Sequence, residues 1–434
     1  MKIGFISLGC SKNLVVTEEI IGLFKKHGYK IVNDPVEADI LLINTCGFID
    51  SAKDEGIKTI LEMAEYKNNN CKYLIVTGCL VERYKEELVK ELPEVDLFVK
   101  ISEYNDMFEM ISEVVNKTKV IDKLDYKDRV LTTGDVMAYL KIAEGCSNYC
   151  TYCAIPYIQG KYVSRPYEEI LDEAKILEKK GIKELVIIAQ DTTKYGFDLY
   201  GKSRLAELLN DLCKLNFKWI RFLYSYPETI DEDLIKVVKE NEKICSYFDL
   251  PIQHISNKVL KKMNRKSDHE SICKLIKKLR KEIPGVVLRT TLIVGFPGET
   301  EEDFNELCKF VKESKFNRLG AFAYSREDGT PAAKFSNQVE EKVKKKRRDT
   351  IMKIQQSISK ELLKEEIGKE YEVLVENTSE DGKYYIGRSY RDVPTEDGVI
   401  YIKNDCSLML NHFVKVKITD SMEYDLVGEI VKWV

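Results

Sequence analysis

Short apolar runs alternate with amphipathic helical patterns over residues 1–115. Four of these runs predict strands: Lys2 to Leu8, Asp39 to Asn44, Lys72 to Thr77 and Asp96 to Val99. Between them, apolar residues recur at i, i+3, i+4 and i+7, which predicts helices over Val15 to His27 and Ser51 to Tyr66. Because strands that alternate with helices form open parallel sheets, this region is predicted to be an N-terminal α/β domain.

The same alternation returns at a larger scale in residues 135–366, which are predicted to form a central domain. Its predicted strands are Ala138 to Ala143, Glu184 to Ala189, Trp219 to Tyr224, Tyr247 to Pro251, Val287 to Val294 and Arg318 to Tyr324. The predicted helices include Tyr167 to Lys180, Ser203 to Leu215, Glu232 to Asn241 and Asp268 to Glu282. Strands that return every ~30 to 45 residues fit βα units, and six units give a partial (βα)6 TIM-like barrel. Its chemistry is expected at the carboxyl ends of the strands, where Cys146, Gln190, Gln253 and Gly295 fall.

A charged helical segment from Glu340 to Gly368 precedes a third domain, predicted over residues 367–434. The segment has six basic residues among Lys342 to Arg348, and a solvated helix face is the preferred interpretation. Period-two alternation then predicts strands over Glu370 to Glu376, Lys383 to Ser389, Gly398 to Ile402, Phe413 to Ile418 and Val427 to Val431. Five short strands separated by turns predict a small antiparallel β-barrel of the oligonucleotide-binding type.

Composition narrows the class of protein. The chain has 434 residues, of which 44% are hydrophobic and 32% charged, with a net charge of −4. This length allows two to four folded domains at roughly 100 to 200 residues each. No apolar run reaches the ~18 to 20 residues of a membrane span, and the first residues do not read as a signal peptide. We therefore expect a cytoplasmic protein without a membrane partner.

Charge is unevenly distributed, and the third domain is acidic. Residues 369–434 contain eight basic and thirteen acidic side chains, a net charge of −5. Phosphate backbones are bound through Lys and Arg, so an acidic barrel disfavours nucleic acid. A basic protein is the better electrostatic match for this domain.

Twelve cysteines stand against four histidines, too few for a small disulfide scaffold. The strongest local pattern follows the first strand of the central domain and reads Cys146-Ser-Asn-Tyr-Cys150-Thr-Tyr-Cys153. A structural zinc site uses four ligands, and no fourth ligand lies nearby in sequence. Three cysteines that hold a 4Fe-4S cluster would leave one iron open to a small molecule. We favour this cluster for the loop triplet (Cys146, Cys150 and Cys153) over a zinc or purely structural role.

Three further cysteines follow predicted strands of the N-terminal sheet. Cys10, Cys46 and Cys79 lie in SLGCSKN, NTCGFID and TGCLVER, each just past a strand. Each alone could be an ordinary buried thiol. Because parallel strands end at one rim, where open sheets bind ligands, we expect this rim triplet (Cys10, Cys46 and Cys79) to converge. The remaining cysteines are predicted to be structural: Cys71, Cys213, Cys245, Cys273, Cys308 and Cys406.

The loop triplet and its barrel resemble the radical S-adenosylmethionine (SAM) superfamily. The resemblance implies that SAM binds the open iron and is cleaved to an adenosyl radical, with electrons from a carrier such as flavodoxin or ferredoxin. Tyr152 resembles the aromatic residue that the superfamily places near the adenine, although packing beneath the loop explains it equally well. Gln190, Gln253 and Gly295 are candidate cofactor contacts at strand ends, and Gly295 could also serve only as a tight turn.

With the rim triplet upstream, the chain resembles the methylthiotransferases. That resemblance implies a second 4Fe-4S cluster on Cys10, Cys46 and Cys79, hence two clusters and SAM as cofactors. The vacant iron of the second cluster would take sulfur from a separate donor, and a first SAM would methylate it. The carbon radical formed by the second SAM would then take up the methylthio group.

The motifs separate two substrate branches of this family. SLGCSKN, the stretch Gln190-Asp-Thr-Thr193 and the motif Gly295-Phe-Pro-Gly-Glu-Thr300 resemble the branch that modifies an aspartate β-carbon in ribosomal protein uS12. The final barrel resembles that branch's TRAM domain. One departure is Val16, where the family usually has Asp. The alternatives are a transfer RNA adenosine methylthiotransferase and a noncatalytic iron-sulfur or zinc protein that docks on the ribosome.

Overall fold

A computed structural model describes residues 1–403 and 409–433. Cys406, predicted to be structural, lies outside the described residues. The chain divides into two compact units. The first comprises Met1–Lys180, Ile187–Gln190 and Ser325–Ala333, and the second comprises Gly181–Val186, Asp191–Tyr324 and Lys334–Val434. No helix in the described part of the chain combines the length and apolar character needed to span a bilayer.

The first unit begins with a five-stranded parallel sheet, as predicted. Its strands are β1 (Lys2–Ser7), β2 (Lys30–Val32), β3 (Ile40–Thr45), β4 (Tyr73–Gly78) and β5 (Leu97–Val99). Its helices are α1 (Ser11–Lys26), α2 (Asp50–Ala64), α3 (Cys79–Glu91) and α4 (Met107–Asn116). The strand order is β2-β1-β3-β4-β5, so β3 lies between β1 and β4 and pairs with both. Strand β2 was not predicted, because its three residues are too short to show a period.

Apolar clusters cover both faces of this sheet. Ile20 and Phe24 of α1 pack with Phe108 of α4 against one face, and Ile60 of α2 packs with Leu88 of α3 against the other. All six residues of β3 are buried, as expected for a central strand covered on both sides. In open sheets covered by helices on both faces, ligands bind at the rim formed by the carboxyl ends of the strands.

The rest of the first unit carries the cysteine loop. Its elements are β6 (Met137–Lys141), β7 (Ala143–Glu144), α5 (Ile155–Ile158), β8 (Val163–Ser164) and α6 (Tyr167–Lys179). A buried ion network ties this part to the sheet: Arg129 donates to Glu18 at 2.9 Å and to Glu173 at 2.7 Å. Arg165 also donates to Glu173, at 2.6 Å. Removing one partner from such a buried network is strongly destabilising.

The second unit continues the βα alternation. Its strands are β9 (Glu184–Ile188, whose last residues belong to the first unit), β10 (Trp219–Phe222), β11 (Tyr247–Gln253), β12 (Val287–Val294) and β13 (Arg318–Ala323). Its helices are α7 (Phe197–Tyr200), α8 (Leu205–Leu212), α9 (Glu232–Glu240), α10 (Asn257–Lys262), α11 (His269–Glu282), α12 (Glu301–Ser314) and α13 (Glu341–Lys364). All six strands predicted for the central domain are present, and β11, β12 and β13 are parallel neighbours.

Two basic residues of helix α13 are buried, although the sequence predicted that its basic side chains form a solvated face. Lys344 is 3% and Arg347 is 7% exposed. Arg347 donates to the carboxylate of Glu299 at 2.9 Å, and the stem of Lys344 lies against Gly295. The prediction of a solvated face was therefore wrong for these two side chains, because their partners come from a distant loop.

The C-terminal strands close into a small barrel. They are β14 (Glu370–Thr378), β15 (Tyr384–Arg388), β16 (Ile400–Lys403), β17 (His412–Ser421) and β18 (Leu426–Trp433), in the order β14-β15-β16-β18-β17. The barrel was predicted to be antiparallel, and one pair differs: β16 and β18 are parallel. A core of aliphatic residues, including Val373, Ile402 and Val416, fills it.

Candidate functional site

The rim triplet lies at the carboxyl ends of three adjacent strands, as expected. Cys10 precedes α1, Cys46 follows β3 directly, and Cys79 begins α3 immediately after β4. Because β3 pairs with both β1 and β4 in parallel register, the three strand ends are neighbours. The topology therefore brings to one rim cysteines that are far apart in sequence.

The thiols of the rim triplet lie near one another: a Cβ on Gly9, which precedes Cys10, would lie 3.1 Å from Sγ of Cys46. The pKa of Cys79 is raised to about 12, mainly by burial, and the nearby thiols of Cys46 and Cys10 contribute to the rise. Burial also raises the pKa of Cys46, with Cys10 adding to the effect. Thiolates that repel one another in this way are stabilised when they share a cationic metal centre.

Tight backbone packing at Gly78 places Cys79. Gly78 has a φ of +100°, which side chains other than glycine rarely adopt. A Cβ at this position would lie 2.3 Å from the carbonyl oxygen of Thr45. The turn from β4 into α3 therefore packs directly against the end of β3, with no room for a side chain at position 78. This contact brings Cys79 towards Cys46.

Asn13 connects the turns that carry the rim triplet, and it was not predicted from the sequence. Its Nδ2 donates to the carbonyl oxygens of Leu8 at 3.2 Å and Thr45 at 3.1 Å. Its Oδ1 accepts from Sγ of Cys79 at 3.9 Å. The SLGCSKN motif contains Asn13, but its partners could not be read from that motif.

The loop triplet follows the β7 strand. Burial raises the pKa of Cys153, and the neighbouring thiols of Cys150 and Cys146 add to the rise. The N–H of Cys153 donates to the carbonyl of Cys150 at 3.0 Å. Gly145, with a φ of +66°, sets the start of the loop, since a Cβ there would lie 2.2 Å from the carbonyl oxygen of Lys161. The 4Fe-4S cluster predicted for the loop triplet stays a prediction.

A segment of the first unit distant in sequence contacts both cysteine regions. Glu327 is 2% exposed and accepts hydrogen bonds from Arg83 at 3.2 Å and Lys53 at 3.3 Å. Arg83 also donates to the carbonyl of Gly47, next to Cys46, at 2.7 Å. In the same segment, the N–H of Ala332 donates to the carbonyl of Thr151 at 2.9 Å. Neither Glu327 nor Arg83 was predicted from the sequence.

The two triplets are adjacent within the first unit. Cys79 packs in one apolar cluster with Ala154 and Ile158, which immediately follow the loop triplet. Gln190, at the carboxyl end of β9, donates through Nε2 to Oε1 of Gln159 at 2.8 Å. Tyr152 is half-buried in the loop. The cofactor contacts predicted for Gln190 and Tyr152 remain predictions.

Gln253 and Gly295 belong to the second unit and lie at strand ends there, as predicted. Gln253 has a φ of +69°, and its Oε1 is buried without a hydrogen-bond partner among the described residues. Gly295 has a φ of +71°, and its N–H donates to Glu299 at 2.7 Å. Burial raises the pKa of Glu299 to about 7, against the opposing charge of Arg347. Gly295 therefore forms a tight turn, and its predicted cofactor contact remains a prediction.

His254 is fully buried beside this turn. The N–H of Ser256 donates to Nδ1 at 3.0 Å, so the imidazole proton resides on Nε2. Nε2 lies 3.7 Å from Glu299. Burial lowers the pKa of His254 to about 3, so the ring is neutral at physiological pH.

The donor chemistry of both triplets fits iron-sulfur clusters. Each consists of three thiols, the ligands that hold such clusters, and each leaves a cubane one protein ligand short. Among the described residues, no three His, Cys, Asp or Glu side chains are placed so that they could together hold a single metal ion. Of the cysteines predicted to be structural, Cys71, Cys213, Cys245, Cys273 and Cys308 are free thiols.

Family comparisons divide the chain into three matched regions. Residues 2–100 match the uncharacterized protein family UPF0004, residues 140–311 match the radical SAM superfamily, and residues 367–431 match the TRAM domain. Among solved structures, the radical S-adenosylmethionine methyltransferase TsrM from Kitasatospora setae aligns with a TM-score of 0.57 at 13% identity. The alignment covers 76% of this chain and 73% of TsrM. The cobalamin-dependent S-adenosylmethionine radical enzyme OxsB aligns with a TM-score of 0.52 at 14% identity, over 81% of this chain and 56% of OxsB. These likenesses concern the fold.

Curated relatives match over the full length. A protein of Alkaliphilus oremlandii named ribosomal protein uS12 methylthiotransferase RimO is 60% identical over 433 residues, 99% of each chain. The proteins of the same name from Clostridioides difficile and Clostridium novyi are 53% and 51% identical, over 99% of this chain and at least 98% of their own. The chain therefore belongs to the RimO family of radical SAM methylthiotransferases.

Proposed function

We propose that this enzyme attaches a methylthio group to the β-carbon of an aspartate in ribosomal protein uS12. The observation that carries the proposal is the adjacency of two thiol triplets in one unit, with Cys79 packed against Ala154 and Ile158. Two clusters side by side suit a reaction in which a radical is generated at one and sulfur is supplied from the other. The full-length relatives named for uS12 support the substrate.

Each triplet would hold one 4Fe-4S cluster, Cys146, Cys150 and Cys153 in the barrel and Cys10, Cys46 and Cys79 at the rim. When bound, these clusters and SAM supply the methyl group, the sulfur and the radical. The chain contributes burial: Cys146 is 5%, Cys150 is 4% and Cys79 is 3% exposed. Such burial excludes water, which would otherwise quench reactive species.

The cofactor contacts that we propose for SAM are Tyr152, Gln190, Gln253 and Gly295. The buried Oε1 of Gln253, which has no partner among the described residues, supports a polar ligand at that strand end. At Gly295, Glu299 and Arg347 hold the turn rigid through the hydrogen bonds at 2.7 Å and 2.9 Å. A rigid turn presents backbone groups to a ligand without further ordering cost.

The wider setting follows from the same proposal. The domains would be residues 1–115 with the rim cluster, 135–366 with the SAM-cleaving cluster, and 367–434 as the TRAM barrel. The enzyme would work in the cytoplasm, with uS12, free or in the small ribosomal subunit, as its partner. An electron carrier such as flavodoxin or ferredoxin and a separate sulfur donor complete the system.

The test is anaerobic reconstitution followed by reaction with purified uS12 and SAM. We expect about eight irons per chain and a methylthio mass increment on one aspartate-containing peptide. Replacing Cys10, Cys46 and Cys79 by alanine should leave about four irons, retain SAM cleavage and abolish methylthiolation. The matched control replaces Cys213, Cys273 and Cys308, which are also free thiols, and should change none of these results. Unmodified uS12 beside modified transfer RNA would overturn the proposed substrate.

A further inference from the structure

Two glutamine side chains connect the carboxyl end of β9 to a cysteine of the rim triplet. Nε2 of Gln159 lies 3.9 Å from Sγ of Cys79 and is oriented to donate to it. Oε1 of Gln159 accepts from Nε2 of Gln190 at 2.8 Å. Gln159 directly follows α5, the helix that packs on Cys79, so its position is set by the same contact.

The hydrogen bond from Gln190 fixes which end of the Gln159 amide faces the sulfur. An amide has one acceptor oxygen and one donor nitrogen, at opposite sides of its plane. With its oxygen committed to Gln190, Gln159 presents its NH₂ group to Cys79. Without Gln190, nothing in this chain of contacts would hold the amide in that orientation against a flip.

The other side-chain contact of Cys79 cannot take over this role. Asn13 presents its Oδ1 to the sulfur, because its Nδ2 is committed to the carbonyl oxygens of Leu8 and Thr45. Oδ1 can accept from a thiol but cannot donate to a thiolate. The backbone N–H of Gly47 also donates to Cys79, and a side-chain substitution cannot remove that contact.

We propose that Gln159 and Gln190 are positioning residues that donate a hydrogen bond to the rim-cluster sulfur of Cys79 and thereby raise the reduction potential of that cluster. The inference rests on the proposed function, since it needs a cluster at the rim triplet. Hydrogen bonds to cluster sulfurs stabilise the more negative, reduced state, and such contacts are among the determinants of cluster potentials. A bond to a charged thiolate is also stronger than the bond to the neutral thiol seen here.

The experiment measures the potential of the rim cluster by itself. In the full-length chain with Cys146, Cys150 and Cys153 replaced by alanine, one cluster signal remains and can be titrated against redox potential by electron paramagnetic resonance. Gln159→Leu should shift the midpoint to lower potential. Gln159→Glu, which presents a carboxylate oxygen to the sulfur, should shift it further. Gln356→Leu, at an exposed position of α13, is the matched control and should leave it unchanged.

The role of Gln190 is tested by asking whether its effect on the midpoint potential requires Gln159. Gln190→Leu should lower the potential less than Gln159→Leu, because the freed amide still donates part of the time. In the Gln159→Leu background, Gln190→Leu should add nothing, since the two act through one contact. An unchanged midpoint in Gln159→Leu, or additive shifts, would overturn the inference. Failure to assemble about four irons in the parent chain would instead overturn the proposed rim cluster, so the two failures are distinguishable.

Discussion

Asn13 is the residue that holds the cysteine turns of the rim triplet together, although it carries no metal-binding group. Two of its hydrogen bonds satisfy the carbonyls of Leu8 and Thr45, each one or two residues before a cysteine. The carbonyl of Asn13 in turn accepts from Nδ2 of Asn44 at 3.0 Å. Because Asn13 is 5% exposed, water could not replace these contacts without rearrangement.

Replacing this side chain should therefore destabilise the protein even without metal. Asn13→Ala removes a donor from the buried carbonyl of Thr45 and from the part-buried carbonyl of Leu8. An unsatisfied buried group costs ~1 to 3 kcal/mol, and we expect a loss of about 3 kcal/mol in the free energy of unfolding. Urea denaturation of the metal-free chain measures it. Asn68→Ala, at an exposed position, is the control and should cost less than about 0.5 kcal/mol. Equal losses in the two variants would contradict this role.

His254 makes stability depend on pH. Its pKa is lowered by burial to about 3 in the folded protein, against an ordinary value of 6.5. Between these values the unfolded chain binds a proton that the folded chain does not. The contribution of His254 to the free energy of unfolding is therefore fully present above pH ~6.5. It is lost as the pH falls towards 3, at about 1.4 kcal/mol per pH unit.

Substitution by asparagine should remove this contribution. His254→Asn keeps an acceptor for the N–H of Ser256 but cannot be protonated, so its unfolding free energy should fall less steeply from pH 6.5 to 4.5 than that of the wild type. Glu299 and Arg347 remain in both proteins, and the difference between the two slopes reports on the imidazole. His412→Asn, at an exposed histidine, should keep the wild-type slope. Parallel curves for wild type and His254→Asn would refute the assignment.

The sequence predicted residues whose chemistry is local and missed those whose partners are remote. The six cysteines could be proposed as cluster ligands because their spacing, or their place after a strand, is visible in short stretches. Three hydrogen bonds join residues that are far apart in sequence: Asn13 to Thr45, Gln159 to Cys79, and Arg83 to Glu327. The separations are 32, 80 and 244 positions, respectively. Such contacts depend on how the elements pack, and a single sequence does not encode that in any local pattern.

At the scale of elements, long periodic segments were predicted and short or packing-dependent features were not. The central strands β3 and β4 and helix α13 match their patterns closely. Strand β2 has three residues, and the parallel pairing of β16 with β18 depends on how the barrel closes. Hydrophobic period determines which residues face a core, but it does not determine which strands become neighbours.

The turn between β4 and α3 offers a test at this scale, because Gly78 and Gly28 both have a positive φ but differ in their surroundings. Gly78→Ala places a methyl group 2.3 Å from the carbonyl oxygen of Thr45, whereas Gly28, with a φ of +79°, has no neighbour within 4 Å. We expect Gly28→Ala to cost ~1 to 2 kcal/mol from backbone strain alone. Gly78→Ala should cost more than about 4 kcal/mol in thermal or urea unfolding. Similar losses would show that the rim turn is not tightly packed.

At the scale of the whole molecule, the net charge of the final barrel does not describe its surface. Its two arginines are buried: Arg388 pairs with Glu184 at 2.7 Å, and Arg391 pairs with Glu366 at 3.1 Å. Asp392 is also buried, in an ion pair with Arg318. Replacing a buried carboxylate such as Asp392 would break an internal ion pair and destabilise the protein, and would not test the surface charge of the barrel. Glu380 and Asp420 are exposed and are the better positions at which to test charge.

If the barrel attracts a basic ribosomal protein, reversing its exposed charges should weaken capture. Glu380→Lys with Asp420→Lys should raise the Kd for purified uS12 about three- to tenfold at low salt, and the difference should shrink as salt screens the charges. Binding measured by fluorescence anisotropy at two salt concentrations checks this. Glu62→Lys with Glu87→Lys makes the same change in net charge at exposed positions of the N-terminal sheet domain and is the matched control. Equal weakening by both pairs would mean that overall charge, and not the acidic barrel, governs the encounter.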